Sequence, residues 1–176
     1  GSNLLIADQG LPGITLHLVY RQAVLTTWPS LQIGAYWQSF SLSQPVEIPM
    51  PGSYVNKQDG WRLECHLVQR AALVDLEQTH SYRIFLAREA VNGPLQLGTR
   101  RPGDRMQPLG MQGQTQKLHD LMINAKVPSC QRRYVPVLRL RDQIVWVGGL
   151  RLDNRFAIAD TTVEVISLQF RPLEEY

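Results

Sequence analysis

The residues best suited to chemistry in this chain are cations, and they are bunched. Residues 100–141 hold nine basic side chains (Arg100, Arg101, Arg105, Lys117, Lys126, Arg132, Arg133, Arg139, Arg141) against two acids, Asp104 and Asp120. Residues 1–99 carry six basic and seven acidic side chains, and residues 142–176 three and six. The formal charge of +3 therefore conceals a block of +7 in an otherwise slightly acidic protein, which points to a polyanion as partner. Arginine dominates the block, and its planar fork matches phosphate oxygens in pairs. Arg100, Arg101 and Arg105 bracket a stiff Pro102-Gly103 turn, Lys117 follows a glycine-punctuated loop, and Arg132-Arg133 follow a short Pro-Ser-Cys-Gln link. A solvated basic face without any partner is the competing reading.

Other chemistry has little to stand on. Local spacing suggests no Ser/His/Asp or Cys/His set, and the sequence contains neither Gly-x-x-x-x-Gly-Lys-Ser/Thr nor Gly-x-Gly-x-x-Gly. Asp104 reads as a turn and ion-pair residue rather than a base. His17, His66, His80 and His119 lack metal-ligand spacing. Cys65 and Cys130 form no Cys-x-x-Cys pair, and Cys65 lies in an alternating pattern, as a buried thiol in a reducing compartment would. No apolar run approaches the roughly 18–20 residues that span a bilayer, and no signal peptide is evident. Gly1-Ser2 has the look of a tag-cleavage scar, so the natural N-terminus is expected upstream.

The elements that must hold the cations are mostly strands. An apolar content of 44% allows a real core. Residues 14–27 read as two short strands, and residues 41–60 are rich in turn formers. Trp61 to Gln69 alternates Trp61, Leu63, Cys65 and Leu67 with Arg62, Glu64 and His66, the period of a half-buried strand. Tyr82–Ala87 and Leu95–Thr99 follow, joined through Asn92-Gly93-Pro94. Arg101-Pro102-Gly103-Asp104 suits a type II turn, and residues 108–115 suit a loop. A helix is predicted near 116–126, with Thr115 as N-cap, Pro128 as the stop and Leu118, Leu121, Met122 and Ala125 as its apolar stripe. On that helix Lys117, Asp120 and Asn124 share an arc of about 60°. Lys117 in the first turn opposes the helix dipole unless a phosphate docks there. Gln131–Tyr134 offers one more turn, and Pro136–Leu140, Ile144–Val147 and Val163–Phe170 close the chain as strands. The expectation is an α+β, β-rich fold of layered sheets with one main helix, divided near residue 93 into a β-rich N-terminal subdomain or linking region (1–92) and a basic C-terminal domain (93–176).

The stretch 99–128, from Thr-Arg-Arg-Pro-Gly-Asp-Arg through Lys117-Leu118 to Ala125-Lys126-Val127-Pro128, closely resembles the C-terminal domain of tRNA(Ile)-lysidine synthases. Arg132-Arg133, Val135-Pro136, Ile144-Val145-Trp146-Val147 and Gly149–Arg155 continue the likeness. It is strong over about 93–170, looser over 45–92, and positional only over 1–44. Gly98 departs from a frequent arginine, and Leu121 from a frequent aromatic. The resemblance implies a bacterial, cytoplasmic enzyme that uses ATP, with Mg, to adenylate the wobble cytidine of an isoleucine tRNA before L-lysine displaces AMP. That chemistry belongs to a Ser-Gly-Gly-x-Asp-Ser domain, a motif this sequence lacks, so no catalytic residue and no cofactor site is carried over. What is implied here is a module similar to one in the phenylalanyl-tRNA synthetase β subunit, gripping the acceptor stem through backbone contacts. The candidate RNA-binding residues are Arg100, Arg101, Arg105, Lys117, Asn124, Lys126, Arg132 and Arg133. A structural or dimerisation domain of the same enzyme is the alternative, and a homodimer is left open.

Overall fold

A computed structural model describes residue 42 and residues 44–73 and 83–173; the strands expected over 14–27 lie outside them. Two antiparallel sheets carry the fold. The first has the order β1 (Val46–Ile48), β5 (Leu95–Gly98), β8 (Val137–Leu140), β9 (Gln143–Val147), β10 (Arg151–Leu152). The second has the order β2 (Gly52–Asn56), β3 (Trp61–Gln69), β11 (Glu164–Pro172), β4 (Arg83–Ala87). A two-stranded ladder, β6 (Arg105–Met106) with β7 (Gln116–Lys117), leads into the α-helix α1 (Leu118–Asn124).

The five-stranded sheet is the middle layer, because it is packed on both faces. Leu95 and Leu97 of β5 and Leu138 and Leu140 of β8 share one core with Leu63, Cys65, Ile84, Leu86, Ile166 and Leu168 of the other sheet. Its opposite face presents Val137, Ile144 and Val147 to Met106, Leu118, Leu121 and Met122. Every residue of β8 is consequently buried, the signature of a strand covered on both sides. A bulge shifts the β8–β9 register after Leu138, so Val145 and Trp146 both join the inter-sheet core while Ile144 and Val147 serve the helix side. Strict alternation along β9 could not have announced that split. An aromatic row then links the sheets: Tyr54 and Trp61 at 5.6 Å, Trp61 and Phe170 at 5.3 Å, Phe170 and Trp146 at 5.6 Å between ring centroids.

Several expectations need adjustment. The line near residue 93 breaks neither sheet: β1 pairs with β5, and β11 runs between β3 and β4. The turn-rich stretch 41–60 contains β1 and β2, separated by a cis Met50–Pro51 peptide. Leu67 is exposed rather than inward, since on β3 the inter-sheet core ends at Cys65. Ala125 is likewise exposed, at the helix C-cap. Burial pushes the Cys65 thiol up to about 11, so it stays protonated and inert, whereas Cys130 is exposed. Leu118, Leu121 and Met122 do form the buried side of the helix. Leu121→Ala should therefore lower stability by about 2–5 kcal/mol, read from a urea titration; a loss under about 0.5 kcal/mol would show that the helix–sheet contact contributes little.

Candidate nucleic-acid interface

The site is built on a tied turn. Gly103 takes φ 82°, the left-handed geometry a type II turn needs at its third residue, and Asp104 N–H donates to the Arg101 carbonyl at 3.3 Å. The Asp104 carboxylate accepts from the Arg101 N–H at 2.6 Å, and it takes both Nη groups of Arg139, at 3.1 Å and 2.7 Å. Arg139 also donates to the Thr99 carbonyl at 3.0 Å. The Asp104 carbonyl in turn accepts the Leu118 N–H at 2.9 Å. One aspartate thus fastens the turn carrying Arg100 and Arg101 to β8 and to the start of α1. Arg139 is 2% exposed; it is a strut inside the domain, not one of the surface cations among which charge counting placed it. Asp104 is the ion-pair residue expected.

The β6–β7 ladder sets Arg105 directly opposite Lys117. Both are exposed, and neither forms an ion pair among the described residues. Like charges facing each other across a ladder are destabilising unless something negative lies between or above them. Arg100, Arg101, Arg105 and Lys117 line one open groove of about 140 Å³, together with Pro102, Gly103, Asp104, Leu118 and His119. Four of the eight candidates therefore converge. Its one acid, Asp104, is engaged by Arg139, so the groove sets four cations against a carboxylate that is already paired.

The helix itself differs from expectation. It begins at Leu118, because Gln116 and Lys117 spend their backbone groups on β6. Lys117 is the N-cap, at φ −68° and ψ 136°, and Thr115 lies outside in the loop. The predicted arc of Lys117, Asp120 and Asn124 does not lie on one helix. With seven residues, and its first N–H already taken by Asp104, α1 gives little dipole support to a phosphate. The opposed cations supply the argument instead. At the far end, Lys126 sits at φ 55° and completes a Schellman cap, its N–H donating to Ile123 O and that of Val127 to Met122 O. The helix ends there, before Pro128 can act. Asn124 and Lys126 are exposed beyond the groove. Arg132 donates from Nε to Val127 O at 2.9 Å, and Arg133 lies over the Tyr134 ring at 4.6 Å. These four do not line the groove.

A second anchor escaped the sequence. Asp153 is fully buried, accepts the Gln107 N–H at 2.8 Å, and pairs with Arg155 at 2.9 Å. Together with Leu109 N–H to Leu152 O and Asn154 N–H to Gln107 O, it clamps the base of the loop 107–115 to β10. An acid within the Leu-Asp-Asn-Arg-Phe run was the only signal, and it reads equally well as a surface turn.

Comparison with known proteins decides the kinship. Residues 95–168 match the family model described as the TilS substrate C-terminal domain. The chain is 36% identical over 145 residues to a tRNA(Ile)-lysidine synthase of Symbiobacterium thermophilum, covering 82% of this chain and 29% of that protein. It belongs to the C-terminal region of the tRNA(Ile)-lysidine synthase family. A second tRNA(Ile)-lysidine synthase, from Caldanaerobacter subterraneus subsp. tengcongensis, is 32% identical over 106 residues, 57% of this chain and 22% of its own length. The fold agrees: the crystal structure of a TilS C-terminal domain superposes with a TM-score of 0.60 at 25% identity, covering 75% of this chain and all of that one. The chain thus spans under a third of the synthases it matches. Among the described residues no cluster could hold a metal ion, and no helix is long and apolar enough to cross a membrane.

Proposed function

We propose that this lysidine-synthase C-terminal region grips tRNA through its phosphate backbone, without taking part in the chemistry. The observation that carries this reading is the groove in which Arg105 faces Lys117 across β6–β7, beside Arg100 and Arg101. A fold that holds two cations opposed, and ties the neighbouring acid to a buried arginine, is suited to polyanionic backbone. An A-form stem offers phosphates and 2′-hydroxyls along a shallow minor groove, while its major groove is too narrow to enter. Asn124, Lys126, Arg132 and Arg133 would extend the contact along the same strand of RNA. Adenylation and lysine transfer, with their ATP, magnesium and L-lysine, would fall to other parts of a cytoplasmic synthase. Grip at a distance would orient the reacting cytidine.

The experiment is binding of an isoleucine tRNA over a range of salt. Lys117→Ala and Arg105→Ala should each weaken binding and flatten log affinity against log salt by roughly 0.7–0.9 per lost phosphate contact, by analogy with DNA. Neither should lower thermal stability, because each removes a like-charge pairing. Unchanged affinities and slopes for both variants would remove the groove from RNA binding.

A further inference from the structure

The β6–β7 ladder, Arg105 with Lys117 and Met106 with Gln116, is too short to hold itself, and its like charges push it apart. The body of the domain holds it instead, on both sides of β6. Just before β6, Asp104 is tied to Arg139 on β8, and its carbonyl accepts the Leu118 N–H at the end of β7. Just after β6, the chain lies along β10. Gln107 O accepts the Asn154 N–H at 2.7 Å, Leu152 O accepts the Leu109 N–H at 2.8 Å, and Pro108 bridges Asp153. β10 pairs with β9, and the Asp153 N–H continues that pairing by donating to Val145 O. The Asp153 side chain closes this second brace. Its Oδ2 accepts the Gln107 N–H at 2.8 Å and Arg155 Nη2 at 2.9 Å, and its Oδ1 accepts the Arg155 N–H at 3.0 Å and Nε at 2.9 Å. Four donors thus converge on a fully buried carboxylate, and only a group that accepts at both of its terminal atoms satisfies them all.

We infer that Asp153 is a positioning residue for the groove: it fixes the end of β6, so that Arg105 stands opposite Lys117 before any anion arrives. The inference rests on the groove being an RNA site. Asp153 is buried and does not line the groove, so any effect it has on RNA binding passes through the strand it holds. Cations that must be gathered as RNA binds lose side-chain and loop freedom at that moment, which weakens binding; cations already gathered have lost it during folding. Their mutual repulsion is likewise overcome in folding, and an arriving phosphate relieves it. Asparagine at position 153 would keep the size of the side chain and an acceptor for the Arg155 N–H. Its NH2 would then face the Gln107 N–H and Arg155 Nη2, donor against donor. That change releases β6 while leaving every groove residue in the sequence.

An Asp153→Asn variant of the full chain should bind an isoleucine tRNA roughly tenfold more weakly, measured where the variant is fully folded. In a chain that already carries Arg105→Ala and Lys117→Ala, the same substitution should change affinity by less than about twofold, because the side chains it positions are gone. A residue with only a structural duty would weaken binding by the same factor in both backgrounds. That result overturns the inference, as does full affinity of Asp153→Asn in the unaltered background. Amide exchange in the unaltered chain gives an answer that needs no variant. The Gln107 and Leu118 N–H groups, bonded to Asp153 and Asp104, should exchange slowly without RNA, and added tRNA should slow them little further. Fast exchange that becomes slow only with tRNA would show a hairpin ordered by its ligand and defeats the inference equally. The groove reading fails by a different result, an Arg105→Ala, Lys117→Ala chain that binds tRNA as the parent does, and the inference falls with it.

Discussion

Replacing Arg139 by alanine should destabilise the protein by about 3–5 kcal/mol, the loss expected when one partner of a buried ion pair is removed. The side chain is 2% exposed and donates to both Asp104 oxygens and to Thr99 O. Without it the Asp104 carboxylate, itself shielded, keeps only the Arg101 N–H among these donors, and a cavity opens beside β8. The pair also has a second duty. It sets the turn that aims Arg100 and Arg101, so RNA affinity should fall even under conditions where the variant is fully folded. An Asp104→Ala, Arg139→Met double variant separates the two effects. Burying an apolar side chain without a stranded charge should restore much of the stability, while the untethered turn should leave tRNA binding weak. A urea titration showing less than about 1 kcal/mol lost in Arg139→Ala would mean that the pair contributes little. Full tRNA affinity in the double variant would mean that the tether does not position the groove.

A fragment of residues 93–176, which contains the whole matched family range 95–168, should fail to fold cooperatively. It retains β11 but neither of its neighbours, although β11 pairs with β3 along Trp61–Gln69 and with β4 along Arg83–Ala87. It also leaves the inter-sheet side of β5, β8 and β9 facing water, including Leu97, Leu138, Leu140 and Trp146. The expected result is loss of a sigmoidal urea transition and of dispersed amide resonances, with the full chain as reference. Should the fragment unfold in a sharp transition with a denaturant slope in proportion to its length, the second sheet would be dispensable and the division near residue 93 would stand as a domain boundary.

Much of the framework was legible because it depends on local pattern. β3, β4, β5, β8, β9 and β11 follow runs of apolar and β-branched residues, and the turn at Pro102-Gly103 follows from the one residue type at ease with φ near 82°. β1 and β2 were hidden behind Pro45, Pro49 and Pro51, whose turn signal is stronger than that of three- and five-residue strands. The helix boundary was misplaced for a related reason. Gln116 and Lys117 suit a helical start as well as a ladder, and only the presence of Arg105–Met106 alongside decides between them.

The cations show the same division. Their number, their arginine bias and the stiff turn among them are properties of the chain, and so is the family likeness. Which of them meet is not. Charge counting treats Arg139 and Arg101 alike, yet one is buried against Asp104 and the other lines the groove. The sequence determines composition, period and turn chemistry, because those act over a few residues. The tertiary structure alone decided that Arg105 faces Lys117, that Asp104 fastens the turn to β8, and that Asp153 clamps the loop, because each contact joins residues that only long-range sheet pairing and packing bring together.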